Sequence, residues 1–358
     1  LRKYPYLADC CIIPIRQILF ICIPSGTGLG LLLAASIYTV LLRIGVSKLT
    51  AISVISACTV FDIGPGSANT MRAAELAEMN NLRYFLEFQL PVVVPMTIIM
   101  TVAYYFSSRY FDRKDKRKNA DPDAVPEGGK TDASAVAENT KPDVPGIYAI
   151  FPLLPLILLI LFSNYINIFG AIELDITTAI IVSLLAAMSF EAIRNRSMRK
   201  MFKSINAFWE GMGKTFASVI TLIVCAEIFS RGLISLGFID ALVNGATSLG
   251  LSGSLIGIVI TVVIFLAAAL MGSGNASFFS FGPLIPGVAS KVGMKTVDML
   301  LPMQLSSSLG RSVSPIAGVL IAISDIGGVS PFDVARRNVI PISITFICTL
   351  LYNFIFLV

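Results

Sequence analysis

The sequence predicts an all-α polytopic membrane protein, an inverted-repeat transporter architecture with two re-entrant hairpins and two broken helices. Three observations lead there. First, 55% of the 358 residues are hydrophobic, 14% are charged and the mean hydropathy is +0.81, which is more apolar surface than a water-soluble globule of this length can bury. Second, the apolar residues fall into runs able to cross about 30 Å of hydrocarbon, without the alternation of outer-membrane strands; lipid admits only helices or closed barrels, so the runs are helices. Third, the chain contains itself twice. GVSPFDVARRNVIP, ending at Pro341, repeats the plan of EMNNLRYFLEFQLP, ending at Pro91: an amphipathic arm, a proline, then a long apolar run. The same shift of 250 residues superposes Pro65 on Pro315 and the cluster Ser25–Gly30 on Asn275–Ser280. Duplicated, interrupted membrane helices are the signature of a secondary transporter.

Apolar runs occur at 12–24, 29–42, 49–63, 91–107, 147–162, 174–192, 210–230, 254–271, 299–323 and 339–357. Lys and Arg gather at Arg109–Lys118, Arg194–Lys203 and Arg336–Arg337, and such ends face the cytoplasm. With Arg231 set aside, the joints at 163–175 and 232–254 carry only Glu173, Asp175 and Asp240, which suits the opposite face.

Residues 1–107 read as the first inverted repeat: a hairpin from the cytoplasmic side, a broken helix outward, an arm, and a span from Pro91 back to the basic loop. Its leading helices are missing and no signal peptide precedes the spans, so an N-terminally incomplete fragment is expected. Residues 108–146, rich in Asp, Lys, Ala and Pro, read as a disordered cytoplasmic linker. The helices within 147–192 fit no interruption pattern and read as scaffold or dimer-contact helices. Residues 193–358 read as the second repeat. An even number of crossings between Lys203 and Arg336 requires one helix outward, a hairpin over about 252–290 that dips in and returns, and a broken helix at 299–323 coming back. Pro91 then opens a span running inward and Pro341 one running outward, so the copies are inverted.

The formal charge of +5 sits between apolar stretches, where it orients the chain, so nucleic acid is not an expected partner. The six cysteines lack CxxC spacing, and Cys10 and Cys11 are adjacent. They indicate neither a metal site nor a disulfide framework and read as packing residues. With no histidine, no HExxH and no paired-Asp motif, a membrane hydrolase is disfavoured, and any proton path must use carboxylates or water. A channel would need a continuous polar path or a charged ring, whereas the polar clusters here are capped by apolar runs.

Four clusters break the apolar helices: SGTGLG at 25–30, IGPGSANT at 63–70, MGSGNASFFS at 271–280 and SSSLGRSVSP at 306–315. An unpaired backbone group in lipid costs several kcal/mol, so irregular backbone is tolerated only where protein, water or ligand satisfies it. Half-helix starts freed by Gly and Pro present N–H groups and a positive dipole end, which hold carboxylates well. Taken singly, each cluster also reads as close packing or a kink; the common offset favours a site. Arg311 is a guanidinium in an otherwise apolar or hydroxylic stretch, and its planar fork suits a carboxylate. Asp62 is the most deeply set acid, either a coupling-cation or proton carrier or the partner of an arginine. Glu227 and Arg231, four apart, read as a local salt bridge. Arg72 is open between interface snorkelling and carboxylate binding.

SGTGLGLLL, MGSGNASFFSFGPLIP, SSSLGRSVSPIAGV and GVSPFDVARRNVIP together resemble the DcuC-type anaerobic C4-dicarboxylate transporters, over nearly the whole chain from about Ser25. Within that family the chain is most similar to the DcuD-like branch, through NAFWEGMGKTFASVITLIVCAEIF as well. The resemblance implies a bacterial inner-membrane carrier for a small organic dianion such as succinate, fumarate or malate, working by exchange, uptake or efflux, and alternating access is expected, with the substrate carboxylates held between two hairpin tips and two half-helix starts. It also implies relation to the wider ion transporter superfamily, often homodimers that move by elevator-like displacement. Carried over by position, the substrate elements are Ser25, Thr27 and Gly28; Ser67, Asn69 and Thr70; Ser273, Asn275 and Ser277; and Arg311, Ser312 and Ser314. No metal and no organic cofactor is expected, with Na+ or H+ as the coupling ion at Asp62, and membrane lipid and a second copy of the chain as partners. A carrier for another organic anion, such as a short-chain fatty acid or an amino-acid derivative, is the alternative.

Overall fold

The computed structural model describes residues 6, 10–118, 150–163, 174–195 and 198–357. Among them every regular element is a helix, and six helices are long and apolar enough to cross a membrane: Gly26–Arg43, Asn81–Asp115, Ile176–Arg194, Phe208–Ser235, Gly253–Met271 and Pro331–Ile355. The protein is a polytopic α-helical membrane protein. Large side chains such as Phe106, Val259, Leu266 and Ile347 point outward, as a lipid-facing surface requires.

The first hairpin joins α1 (Ile12–Cys22) to α2 (Gly26–Arg43). Pro24 ends the first arm, and Ser25 starts the second as its N-cap, its Oγ accepting from the Gly28 N–H at 3.2 Å. After α3 (Lys48–Ala57) the chain is irregular until Ser67 caps α4 (Ala68–Leu76). Next come α5 (Asn81–Arg83), a π-helical stretch Tyr84–Gln89 and α6 (Leu90–Lys118), which follow one another without a gap. After them α7 (Leu154–Leu161) packs on α8 (Ile176–Asn195), with Phe151 against Phe190 at 5.5 Å between ring centroids.

In the second half, α9 (Met198–Thr215) leads through a π-turn into α10 (Thr221–Ser235), followed by the short α11 (Phe238–Ser248). The second hairpin joins α12 (Gly253–Met271) to α13 (Gly274–Phe281), continued by a 3-10 turn and α14 (Ile285–Val292). Gly272 makes the reversal with a φ of 67°, a conformation that favours glycine, and Ser273 caps α13, accepting from the Ala276 N–H at 3.2 Å. The second broken helix is α15 (Thr296–Ser312), an irregular turn through Pro315, then α16 (Gly318–Gly327); α17 (Pro331–Tyr352) closes the bundle.

Two expectations change. Neither Pro91 nor Pro341 opens a span: the crossing helix runs on from Asn81, well before Pro91, and Pro341 lies inside α17. The π-helical stretch before Pro91 absorbs the displaced hydrogen bonds, and the Arg337 carbonyl, left without a donor by Pro341, is approached by the Ser107 hydroxyl of α6 at 3.5 Å. The segment read as linker from residue 108 is helical to Lys118, because Asp112 is buried and bonded rather than solvated. The rest of that linker, 119–146, lies outside the described residues.

The broken helices pack crosswise. The first half α3 lies on α16, the second half of the other, while α4 lies on α15. Parallel helices would match first half with first half, so the two run antiparallel. Each hairpin follows: α2 packs on α3 and α16, and α13 on α15 and α4. Gly310 permits the tightest approach, since a Cβ there would stand 2.2 Å from the Phe265 carbonyl oxygen of α12.

Candidate functional site

The two breaks and two hairpin tips meet in the interior. The first tip reaches the second break: a Cβ on Gly26 would lie 3.6 Å from Arg311 Nη1. The second tip reaches the first break, where Asn69 Nδ2 donates to Asn275 Oδ1 at 3.1 Å.

Around the first break, the Asp62 carboxylate accepts from Ser67 Oγ at 2.7 Å and from Asn69 Nδ2 at 3.0 Å. Thr70, buried, contacts Gln89, whose Nε2 approaches both Thr70 Oγ1 and Gln304 Oε1 at 3.0 Å. Gln304 also receives the Tyr84 hydroxyl at 3.1 Å and donates to the Asp62 carbonyl at 3.3 Å. This chain of side chains is buried and almost fully bonded, the condition under which a polar network in a membrane protein stabilises one arrangement.

Around the second break, Arg311 Nη2 donates to the Thr59 carbonyl. The guanidinium lines a small crevice with Ser56, Thr59, Ser312 and Ala317. Among the described residues it forms no ion pair, with Asp62 or otherwise. The option of an Asp62–arginine salt bridge is therefore not realised, because hydroxyl and amide donors already occupy Asp62. Ser314 Oγ is buried without a hydrogen-bond partner.

Several proposed contacts are committed elsewhere. Ser25, Ser67 and Ser273 use their hydroxyl oxygens as helix caps. Ser277 donates to the Gly274 carbonyl at 2.9 Å and Ser312 to that of Ser308 at 2.9 Å. Thr27 and Gly28 are exposed at the start of α2. Arg72 is drawn into an ion-pair network with Glu75, at 2.8 Å, and with Glu227, which also holds Arg231 at 3.0 Å. The local Glu227–Arg231 bridge is present, and Arg72 joins it instead of facing the breaks.

Chemically, the two regions differ. The Arg311 crevice combines a cation with the positive end of α2, which suits a carboxylate. At the first break the start of α4, through Ser67 and Asn69, holds the negative Asp62, so the net charge there is lower and the oxygen-rich ligands suit a small cation or a proton. No group of three or more His, Cys, Asp or Glu that could hold a metal occurs among the described residues. A far wider groove of about 600 Å³ between α6 and α17 is lined by Ile98, Val102, Phe106 and Ile344. It is almost wholly apolar and cannot recognise a dianion.

Sequence reasoning missed Gln89, Gln304, Asn338 and Arg16. Asn338, buried in α17, accepts from Ser53 at 2.6 Å and Tyr104 at 3.1 Å, and donates to Ser56 at 2.8 Å and to the Ser312 carbonyl at 3.1 Å. All four of its hydrogen-bonding positions are filled. The available signal was a single amide inside an apolar run.

The profile of the DcuC family, described as C4-dicarboxylate anaerobic carrier, matches residues 1–358. The chain is 30% identical to the anaerobic C4-dicarboxylate transporter DcuC of Escherichia coli strain K12 over 338 residues, 94% of this chain and 70% of that protein. It is 30% identical to the probable anaerobic C4-dicarboxylate transporter DcuC of Vibrio cholerae serotype O1 over 341 residues, 95% of this chain and 71% of that protein. A putative uncharacterized transporter of Haemophilus influenzae is 30% identical over 136 residues, 38% of this chain and 48% of its own length. With its membrane-spanning helices and its match along the whole length, the chain belongs to the DcuC family of anaerobic C4-dicarboxylate carriers.

Proposed function

We propose that the protein is a secondary active transporter that moves C4-dicarboxylates of the succinate, fumarate and malate class across the bacterial inner membrane by alternating access. Family membership supports the substrate class. The observation that carries the mechanism is the Arg311 guanidinium, near Asp62 but in no direct ion pair among the described residues, set against the start of α2 at the meeting of a hairpin tip and a helix break. One substrate carboxylate binds there, and no covalent chemistry is needed.

The two halves form an inverted pair in this reading. Its support is the crosswise packing of the broken helices and a pair of matching hydrogen bonds. Gln89 of the first arm bonds Gln304 of the second broken helix, and Asn338 of the second arm bonds Ser53 of the first; Gln89 and Asn338, like Ser53 and Gln304, stand about 250 residues apart. Hairpins and broken helices move together against the α7–α8 scaffold, which also provides the contact for a homodimer. Asp62 with Ser67 and Asn69 holds the coupling Na+ or H+. The joint after α6 is cytoplasmic, in keeping with its basic residues.

The test is uptake of labelled succinate into proteoliposomes, with and without internal dicarboxylate, for the protein and its Arg311→Gln variant. Uptake stimulated by internal dicarboxylate and lost in the variant is expected. No succinate flux from folded, inserted protein would move the substrate to another organic anion. Flux unchanged in Arg311→Gln would reduce the arginine to a structural part.

A further inference from the structure

Arg16, on the second turn of α1, is 1% exposed and lacks an acidic partner among the described residues. Its one hydrogen bond runs from Nη1 to Cys58 Sγ at 3.2 Å, a weak acceptor; Nε and Nη2 have none. A guanidinium is always charged, and leaving it buried without an anion is costly enough that such groups in membrane proteins mark functional sites.

The buried acids nearest to this role are engaged. Asp62 is held by Ser67 and Asn69. Asp112 is held by Arg337, Ser47 and Thr50.

Position completes the argument. Arg16 touches Cys58, and Arg311 touches the carbonyl of Thr59, the very next residue. One guanidinium comes from the first hairpin and the other from the second broken helix, so both converge on the opening turn of the first break. Gln17 beside Arg16 fixes the hairpin arm there by donating to the Phe61 carbonyl at 2.6 Å.

We propose that Arg16 is a second anion-binding residue of the transport site, holding one carboxylate of a dicarboxylate whose other carboxylate is held by Arg311. This rests on the dicarboxylate reading above. A pair of arginines separated by one break explains selection of dianions over monoanions, because a monocarboxylate leaves one buried cation without a partner.

The experiment is exchange of labelled succinate in proteoliposomes, inhibited by unlabelled succinate or by its monomethyl ester, for the protein, Arg16→Gln, Arg16→Lys and the exposed control Arg83→Gln. In Arg16→Gln the preference for succinate over the ester falls by roughly thirtyfold or more, while Arg83→Gln keeps it. A folded Arg16→Gln with unchanged preference overturns the assignment. Should Arg16→Gln fail to give monodisperse protein, Arg16→Lys decides. That variant keeps charge and bulk but loses the fork, so a preference reduced by about fivefold supports the assignment and an unchanged one overturns it. No succinate exchange by the unaltered protein would overturn the dicarboxylate reading itself, and this assignment with it.

Discussion

Gln89 and Gln304 meet amide to amide at 3.0 Å, one from the arm before α6 and the other from the middle of α15, both fully buried. Replacing Gln304 by Leu removes the acceptor of the Tyr84 hydroxyl and of Gln89 and the donor to the Asp62 carbonyl. Each group orphaned in this way costs about 1–3 kcal/mol. The expected outcome is a lower melting temperature in detergent and loss of succinate exchange; an unchanged melting curve would remove the network from the account of stability.

Asp62→Asn keeps the size of the side chain but turns one acceptor into a donor facing Ser67 Oγ or Asn69 Nδ2. The variant is expected to exchange dicarboxylates while losing acceleration by an imposed Na+ or proton gradient. The check is uptake with and without each gradient, and gradient-driven uptake equal to that of the unaltered protein would acquit Asp62 of coupling.

Gly310→Ala forces a Cβ to within 2.2 Å of the Phe265 carbonyl oxygen. Helices α12 and α15 must separate, at about 1–3 kcal/mol of overpacking strain. Thermal unfolding should report the loss, and Gly211→Ala, where nothing stands within 4 Å, should not.

Arg337 and Asp112 pair at 2.7 Å with 6% and 5% of their side chains exposed. Asp112→Ala leaves Arg337 with only the half-exposed Asp115 as its carboxylate partner and orphans the Ser47 and Thr50 hydroxyls, so it should cost about 1–3 kcal/mol, whereas Arg337→Met with Asp112→Leu should recover much of it. Thermal melts of the single and double variants decide this, and a double variant no better than the single would point to an essential role for the charges.

The breaks were legible in the sequence because dense groups of Gly, Pro and hydroxyl residues inside apolar runs have few structural meanings. The caps at Ser25, Ser67 and Ser273 follow from the same residues. What held those breaks together was not legible. A lone Gln304 or Asn338 within an apolar run announces that it has a partner without saying which, and the partners lie 215 residues away at Gln89 and 285 at Ser53. Arg16 escaped notice because it sits near the start of an apolar run, where a basic residue ordinarily snorkels to the interface. Pro91 and Pro341 misled for a related reason. A proline commonly ends or kinks a helix in water, but in a membrane the carbonyl it frees four residues earlier finds a hydroxyl on a neighbouring helix or a π-helical turn.

The crosswise packing of the broken helices also sets the order in which the chain can mature in the membrane. Ser53 and Ser56 of α3 hydrogen-bond to Asn338, 285 and 282 residues later. Until Asn338 has been synthesised and inserted, the Ser53 hydroxyl of the first half lacks the acceptor that it has in the folded protein. Insertion and folding are thus separate events for this protein.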